Sequence, residues 1–287
     1  MRIVTLLPAA TEIVALLAPE WLVGVSHECD YPAWVTKLPR VTTTPIDISA
    51  PSARIDAQVR AAMEAGKPVI ATDAKLLRKL KPDLIITQGL CEVCAVADGE
   101  VFRLSEVLSP KPSVLSLSAH TIEGILEDIG TVGRMVARTD EAEEIVAGLR
   151  YRLRKIGSRP TTHNPRPRVL CIEWLDPLYT AGHWTPEMIA LAGGLDVGAT
   201  AGEHSRRREW SEVAALKPDI ILVALCGFSE ERARQELATV ADPEAKAFLT
   251  ALPPDRLTVI DGNAYTSRPG PRVVDGIELI RARLASC

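Results

Sequence analysis

Aromatic residues are scarce in this chain. They make up 4% of its 287 residues, as three Phe, four Tyr and five Trp. Each Trp or Tyr beside a polar loop therefore carries extra weight. No apolar run approaches the ~18 residues that a membrane-spanning helix needs. The sequence has no GxGxxG, no Walker A loop, no G-x-S-x-G elbow and no HExxH, and no paired-carboxylate motif stands out. These absences count against the common dehydrogenases, kinases and hydrolases and predict a protein that is not an enzyme. The net charge is only -4, which argues against a nucleic-acid surface as the main business.

What is present is ordinary globular material. Hydrophobic residues are 47% and charged residues 24% of the chain, which excludes a disordered protein. The length suits one large domain or two small lobes, each able to bury a core. Short apolar runs recur as RIVTLL, LVGVS, LIITQ, VLSLS, RVLCIEW, IILVAL and LTVIDG. Amphipathic stretches such as AATEIVALLA and TPEMIALAGG lie between them. Alternation of this kind predicts an α/β fold with parallel sheets covered by helices.

The chain also resembles itself. LKPDLII at 80–86 returns as LKPDIIL at 216–222, and TEIVALLA at 11–18 is echoed by PEMIALAG at 186–193. The order of the two phrases is preserved, which predicts two related lobes. The first half carries extra chain over much of 26–65. The middle is helical. Ile122, Ile125, Leu126, Ile129, Val132 and Val136 repeat at helical spacing. A second helix begins near Thr139 or Asp140, with Ile145, Val146, Leu149 and Leu153 on its apolar face. The expected organisation is an N-terminal lobe over 1–118, a connector over 119–158 and a C-terminal lobe over 159–287. The bridging helix within the connector covers about 140–157, roughly 26 Å of helix. A helical connector predicts little hinge motion.

The N-terminal stretch RIVTLLPAATEIVALLA is broken by Pro8 and by Thr11-Glu12. It reads as strand, turn and helix rather than as a secretory signal. That predicts a cytoplasmic protein, or a periplasmic or extracellular one whose leader has been removed. Six cysteines stand at 29, 91, 94, 171, 226 and 287. Cys171 and Cys226 lie in apolar runs and read as buried free thiols.

In an open parallel sheet, ligands gather beyond the carboxyl ends of the strands. Five such ends are chemically loaded: His27-Glu28-Cys29-Asp30-Tyr31, Gln88 with the following Cys91-x-x-Cys94, Glu173-Trp174 with Tyr179 and His183-Trp184, Cys226-Gly227-Phe228, and Asn263 to Arg268. Two lobes facing each other across these edges would form a cleft. His27, Cys29, Cys91 and Cys94 are candidate ligands for Zn²⁺ or an iron–sulfur cluster, on the view that they follow neighbouring strands. They also read as unliganded polar lining or as a dithiol.

GVSHECDYP, LKPDLII, IEWLDPLYTAGHWTPEMIALAGG and NAYTSRPGPRVVDGIELI together resemble the cobalamin-binding branch of the substrate-binding proteins of ABC importers. That class, the class III periplasmic-binding-protein-like receptors with a helical backbone, includes siderophore, haem and metal receptors. The resemblance covers almost the whole chain. It implies two lobes joined by a long rigid helix, and non-covalent binding of a cobalamin-like corrinoid in the cleft. It names Tyr31, Trp174, Tyr179, Trp184, Tyr265 and Arg268 as ligand contacts, with His27, Glu28, Gln88, Glu173 and His183 as polar neighbours. It also implies delivery to an ABC permease if the protein is exported. A siderophore, haem or metal chelate is the alternative ligand, and a Zn or Fe–S metalloprotein built on the HEC and CxxC elements is the alternative class.

Overall fold

A computed structural model of the chain describes residues 1–89, 98–158 and 165–285. Cys91 and Cys94 lie outside the described residues. The chain forms two compact units. The first comprises Met1–Ser49, Ala57–Ala119 and Glu123–Ala147, and the second Ala50–Asp56, His120–Ile122 and Gly148–Cys287.

The first unit opens with β1 (Ile3–Thr5), α1 (Pro8–Leu17) and β2 (Leu22–Val25). The short pair β3 (Thr42–Thr43) and β4 (Ala71–Thr72) flanks α2 (Ser52–Glu64), whose first turn belongs to the second unit. Then come α3 (Ala74–Leu80), β5 (Leu84–Gln88), α4 (Asp98–Glu106), β6 (Ser113–Leu117), α5 (Ile122–Met135) and α6 (Thr139–Gly157). The main sheet has the order β2-β1-β5-β6 and is parallel throughout. Ile3, Val4, Ile85 and Ile86 are fully buried because helices cover both faces.

The second unit is built on β7 (Arg168–Trp174), β8 (Tyr179–Thr180), α7 (Thr185–Ala192), β9 (Leu195–Asp196), β10 (Arg206–Arg207), α8 (Trp210–Ala215) and β11 (Ile220–Val223). It continues with α9 (Glu230–Thr239), α10 (Pro243–Ala251), β12 (Leu257–Val259), α11 (Gly262–Tyr265) and α12 (Val273–Leu284). Its sheet runs β10-β8-β7-β11-β12, and β9 also pairs with β7. β7, β11 and β12 are parallel, while β8 and β10 extend the edge as antiparallel strands. The parallel strands expected here form the body of the sheet, and the turn at 175–178 is too short for a crossover, so β8 folds back antiparallel on β7.

The repeated LKPD phrase has one physical job, performed twice. Lys81 and Lys217 both take a left-handed backbone, each with φ 47°, at the end of α3 and just beyond α8. Asp83 then accepts the Arg2 amide at 2.6 Å, and Asp219 accepts the Arg168 amide at 2.8 Å. The arginine side chains reach back to the ends of those helices, from Arg2 Nε to the Leu80 carbonyl and from Arg168 Nη2 to the Leu216 carbonyl. Each clasp ties a helix end to the start of a parallel strand pair, β1–β5 in one unit and β7–β11 in the other.

α6 runs for 19 residues through both units. In the first unit Arg138 binds Glu20 and lies over the Trp21 ring. In the second, Arg152 binds Asp275 at 2.6 Å and Glu278 at 2.8 Å on α12.

Candidate functional site

In the first unit the loop after β2 is held from below by Arg40. Its guanidinium donates to the Ser26 carbonyl at 2.9 Å and the Cys29 carbonyl at 2.6 Å. Thr42 takes the other side. Its hydroxyl accepts the His27 amide at 2.9 Å and lies 2.7 Å from His27 Nδ1. His27 is therefore oriented as well as half-buried. Burial holds its pKa below the usual histidine range, and the Arg40 charge adds to that. Beyond it the chain turns outward, leaving Glu28, Tyr31 and Trp34 exposed. Gln88 ends β5 half-buried.

Of the expected metal set, His27 and Cys29 lie in this unit, and Cys91 and Cys94 lie outside the described residues. β1 lies between β2 and β5 in the sheet, so the HEC and CxxC elements follow strands that are not neighbours. Cys29 is 1% exposed, with its sulfur 3.0 Å from the Thr11 hydroxyl in the interior. Apolar packing around a small thiol draws Cys29 inward while His27 faces the loop. Among the described residues no group of three or more His, Cys, Asp or Glu is arranged around a metal-sized gap.

In the second unit the tight turn of the β7–β8 pair opposes Trp174 and Tyr179, which places both rings on one face. Trp174 Nε1 donates to the Asp176 carbonyl at 3.1 Å, which fixes its ring. Phe228, beyond β11, packs edge-on to Trp174 at 5.5 Å, and the Arg232 guanidinium sits 3.8 Å over the Phe228 ring. Asp176 lies in the same region. Burial raises its pKa, the carboxylates of Asp242, Asp56 and Glu236 add to the rise, and Arg207 opposes it.

β12 leads into the third part of this face. Asp261 caps α11 by accepting the Ala264 amide at 2.7 Å. The Asn263 amide donates to the Phe228 carbonyl at 3.1 Å, and Arg268 donates to Asn263 Oδ1 at 2.9 Å. α11 can approach the end of β11 because Gly262 has no side chain. A Cβ there would meet the backbone of Ala224 and Leu225. Tyr265 is half-buried on this short helix.

Two of the expected contacts are corrected. Trp184 is 4% exposed and packs in the interior of the second unit at the start of α7. A hydrophobic ring entering a helix beside Pro186 is drawn into the core. Arg268 is also only 4% exposed, and it braces the loop after α11. Glu173 is half-buried at the end of β7, where its carbonyl accepts the Cys226 amide at 2.8 Å. His183 leaves the aromatic face and meets His120 instead, at 3.3 Å between their Nδ1 atoms.

Sequence reasoning placed Phe228 at a loaded strand end without naming it a ligand contact, and it missed Arg232. The signal was available: Phe228 is one of three Phe, and it follows a buried strand. It also missed His120 and His204, which sit far from His183 in sequence.

A family profile described as periplasmic binding protein matches residues 3–261. The cobalamin-binding protein of Halobacterium salinarum is 27% identical over 226 residues, covering 76% of this chain and 57% of that one. This chain thus matches little more than half the length of that relative. The crystal structure of the periplasmic vitamin B12-binding protein BtuF of Vibrio cholerae shares the fold with a TM-score of 0.70 at 22% identity, covering 99% of this chain and 96% of that one. The periplasmic haem-binding protein RhuT of Roseiflexus sp. RS-1 in apo form matches equally well, with a TM-score of 0.70 at 19% identity, covering 100% and 99%. With its α/β architecture of parallel strands and flanking helices, the chain belongs to the periplasmic binding protein family.

Proposed function

We propose that this protein binds a cobalamin-type corrinoid reversibly and without chemical change. The observation that carries the reading is the similarity to a curated cobalamin-binding protein. The second unit supplies a fitting surface. Trp174 and Tyr179, half-buried on one face, offer flat apolar surface to a macrocycle, with buried Phe228 packed behind Trp174 and half-buried Tyr265 on the neighbouring α11. In the first unit, taken by itself, Tyr31 and Trp34 are exposed and the His27 ring is oriented by Thr42. Binding requires no residue to act as acid, base or nucleophile. Delivery to an ABC permease outside the cytoplasm follows from the same reading.

The test is a visible-absorption titration with hydroxocobalamin, followed by colour retention on a desalting column. Saturable retention is expected, and Trp174→Ala is expected to weaken it about tenfold or more. A shift in the corrin bands that disappears in His27→Ala would identify an axial imidazole. A haem or siderophore complex is the second reading, supported by the equal likeness to a haem-binding structure. Retention of haemin with no retention of any corrinoid would replace the first reading with the second.

A further inference from the structure

The second unit brings together three imidazoles, of which the corrinoid reading names only His183. His120 precedes α5, His183 precedes α7, and His204 precedes β10. Their ring centroids lie 5.3 Å (His120–His183), 5.5 Å (His120–His204) and 5.1 Å (His183–His204) apart. The Nδ1 atoms of His120 and His183 are 3.3 Å apart.

These spacings match a specific geometry. Two ring nitrogens held about 2.0–2.1 Å from a tetrahedral zinc lie roughly 3.3 Å from each other. The centroids of two such rings, each about 3.2 Å from the metal, lie roughly 5.2 Å apart. All three measured separations fall close to that value. Without a metal, the 3.3 Å approach of His120 and His183 is an Nδ1–H···Nδ1 hydrogen bond between the two rings.

The backbone holds the three segments at this spacing. His183 adopts a left-handed conformation, φ 53°, rare for a residue with a side chain. Its amide donates to the Glu203 carbonyl at 2.6 Å, and its carbonyl accepts the Gly202 amide at 2.8 Å. Gly182 makes this approach possible. A Cβ there would fall 2.5 Å from the Glu203 oxygen and 2.6 Å from His204 carbon. The His120 segment is pinned separately, because the Ile122 amide donates to Glu187 on α7 at 2.6 Å.

We propose that His120, His183 and His204 form a binding site for a borderline divalent transition metal of the zinc type, with one coordination position left open. The set is not closed as it stands, since no described group surrounds a metal-sized gap. The missing movement is a ring rotation of His204, which is exposed and free to make it.

The probe is Co²⁺ added to chelator-stripped protein without a histidine tag, read by its visible d–d bands, with Zn²⁺ as competitor. One equivalent of tetrahedral Co²⁺, displaced by Zn²⁺, is expected. His204→Ala, on an exposed side chain, should weaken binding by more than the ~10–100-fold that loss of an outer partner costs. His183→Asn, chosen because Asn tolerates the left-handed backbone, should do the same, with circular dichroism melts confirming both folds. Saturable uptake that survives both substitutions would overturn the proposal. So would its absence in the parent, or its loss only in Cys91→Ser/Cys94→Ser. Because no corrinoid is used, the outcome is independent of the proposed function.

Discussion

Gly262→Ala tests how the aromatic face of the second unit is built. An ideal Cβ would lie 2.6 Å from the Ala224 carbonyl carbon and 2.8 Å from its oxygen, and it would also meet the Leu225 oxygen. Ordinary contact begins near 3.4 Å, so something must move by more than about 0.8 Å. The strand end cannot yield cheaply. The Ala224 amide donates to the Ile172 carbonyl at 2.9 Å, and Cys226 to Glu173 at 2.8 Å. The shift falls on α11 instead, at the expense of the Asn263–Phe228 and Gly227–Ser267 hydrogen bonds, at 3.1 and 3.4 Å. Overpacking costs about 1–3 kcal/mol and the two weakened hydrogen bonds together ~1 kcal/mol, so a loss of roughly 2–4 kcal/mol is expected. Thermal melts followed by circular dichroism should show Tm falling by roughly 5–12 °C. Gly148→Ala makes the same chemical change where nothing lies within 4 Å, in the interior of α6. It should stabilise by about 0.5–1 kcal/mol through helix propensity. If Gly262→Ala melts within about 2 °C of the parent, the close-approach argument is wrong.

Three further outcomes are expected. Asp83→Ala and Asp219→Ala should each lower the urea midpoint by about 1 kcal/mol of stability, and the double variant should show the sum, because the two clasps share no partner. Asp196 accepts the Gly198 and Ala199 amides at 2.7 and 2.9 Å, yet burial lifts its pKa to about 6, above the usual 3.8. Its contribution is therefore full below pH 3.8 and lost as pH rises through about 6. The stability of Asp196→Asn relative to the parent should rise by about 1–3 kcal/mol between pH 4.5 and 8 in pH-resolved melts; a flat difference refutes the assignment. Among the three cysteines described, brief alkylation with peptide mapping should mark Cys226 first. Cys171 is fully buried with its thiol pKa pushed up by that burial, and Cys29 is 1% exposed.

Most of the scaffold was legible because its signals are local. The run RVLCIEW at 168–174 is β7 residue for residue, and the periodic apolar positions from Ile122 to Val136 cover α5. LKPD was readable as a repeat, and the structure supplies its reason, since an aspartate that clasps a strand amide is needed wherever that helix-to-strand junction recurs. A helix expected over about 140–157 is present as Thr139–Gly157.

What failed to read was lateral order and long-range convergence. A buried strand announces its own apolar run but not its neighbour. The sequence places the β2 and β5 loops in succession as loaded ends, and only the crossover sets β1 between them. The Cys29 assignment went the same way, because the residues that claim its sulfur include Thr11, eighteen positions earlier on a different element. Trp184 read as a ligand contact from its company, His183 on one side and Thr185-Pro186 on the other. Its burial is decided by where α7 lies against α12, which no local pattern states. The three histidines make the point most sharply. Each is a single polar residue just ahead of a helix or strand, indistinguishable from a cap or a loop residue. They become a chemical group only because Gly182 admits the 203–205 backbone and Glu187 anchors the start of α5. The readable trace of such a site is thus less the histidines than the glycine and the carboxylate that bring their backbones together.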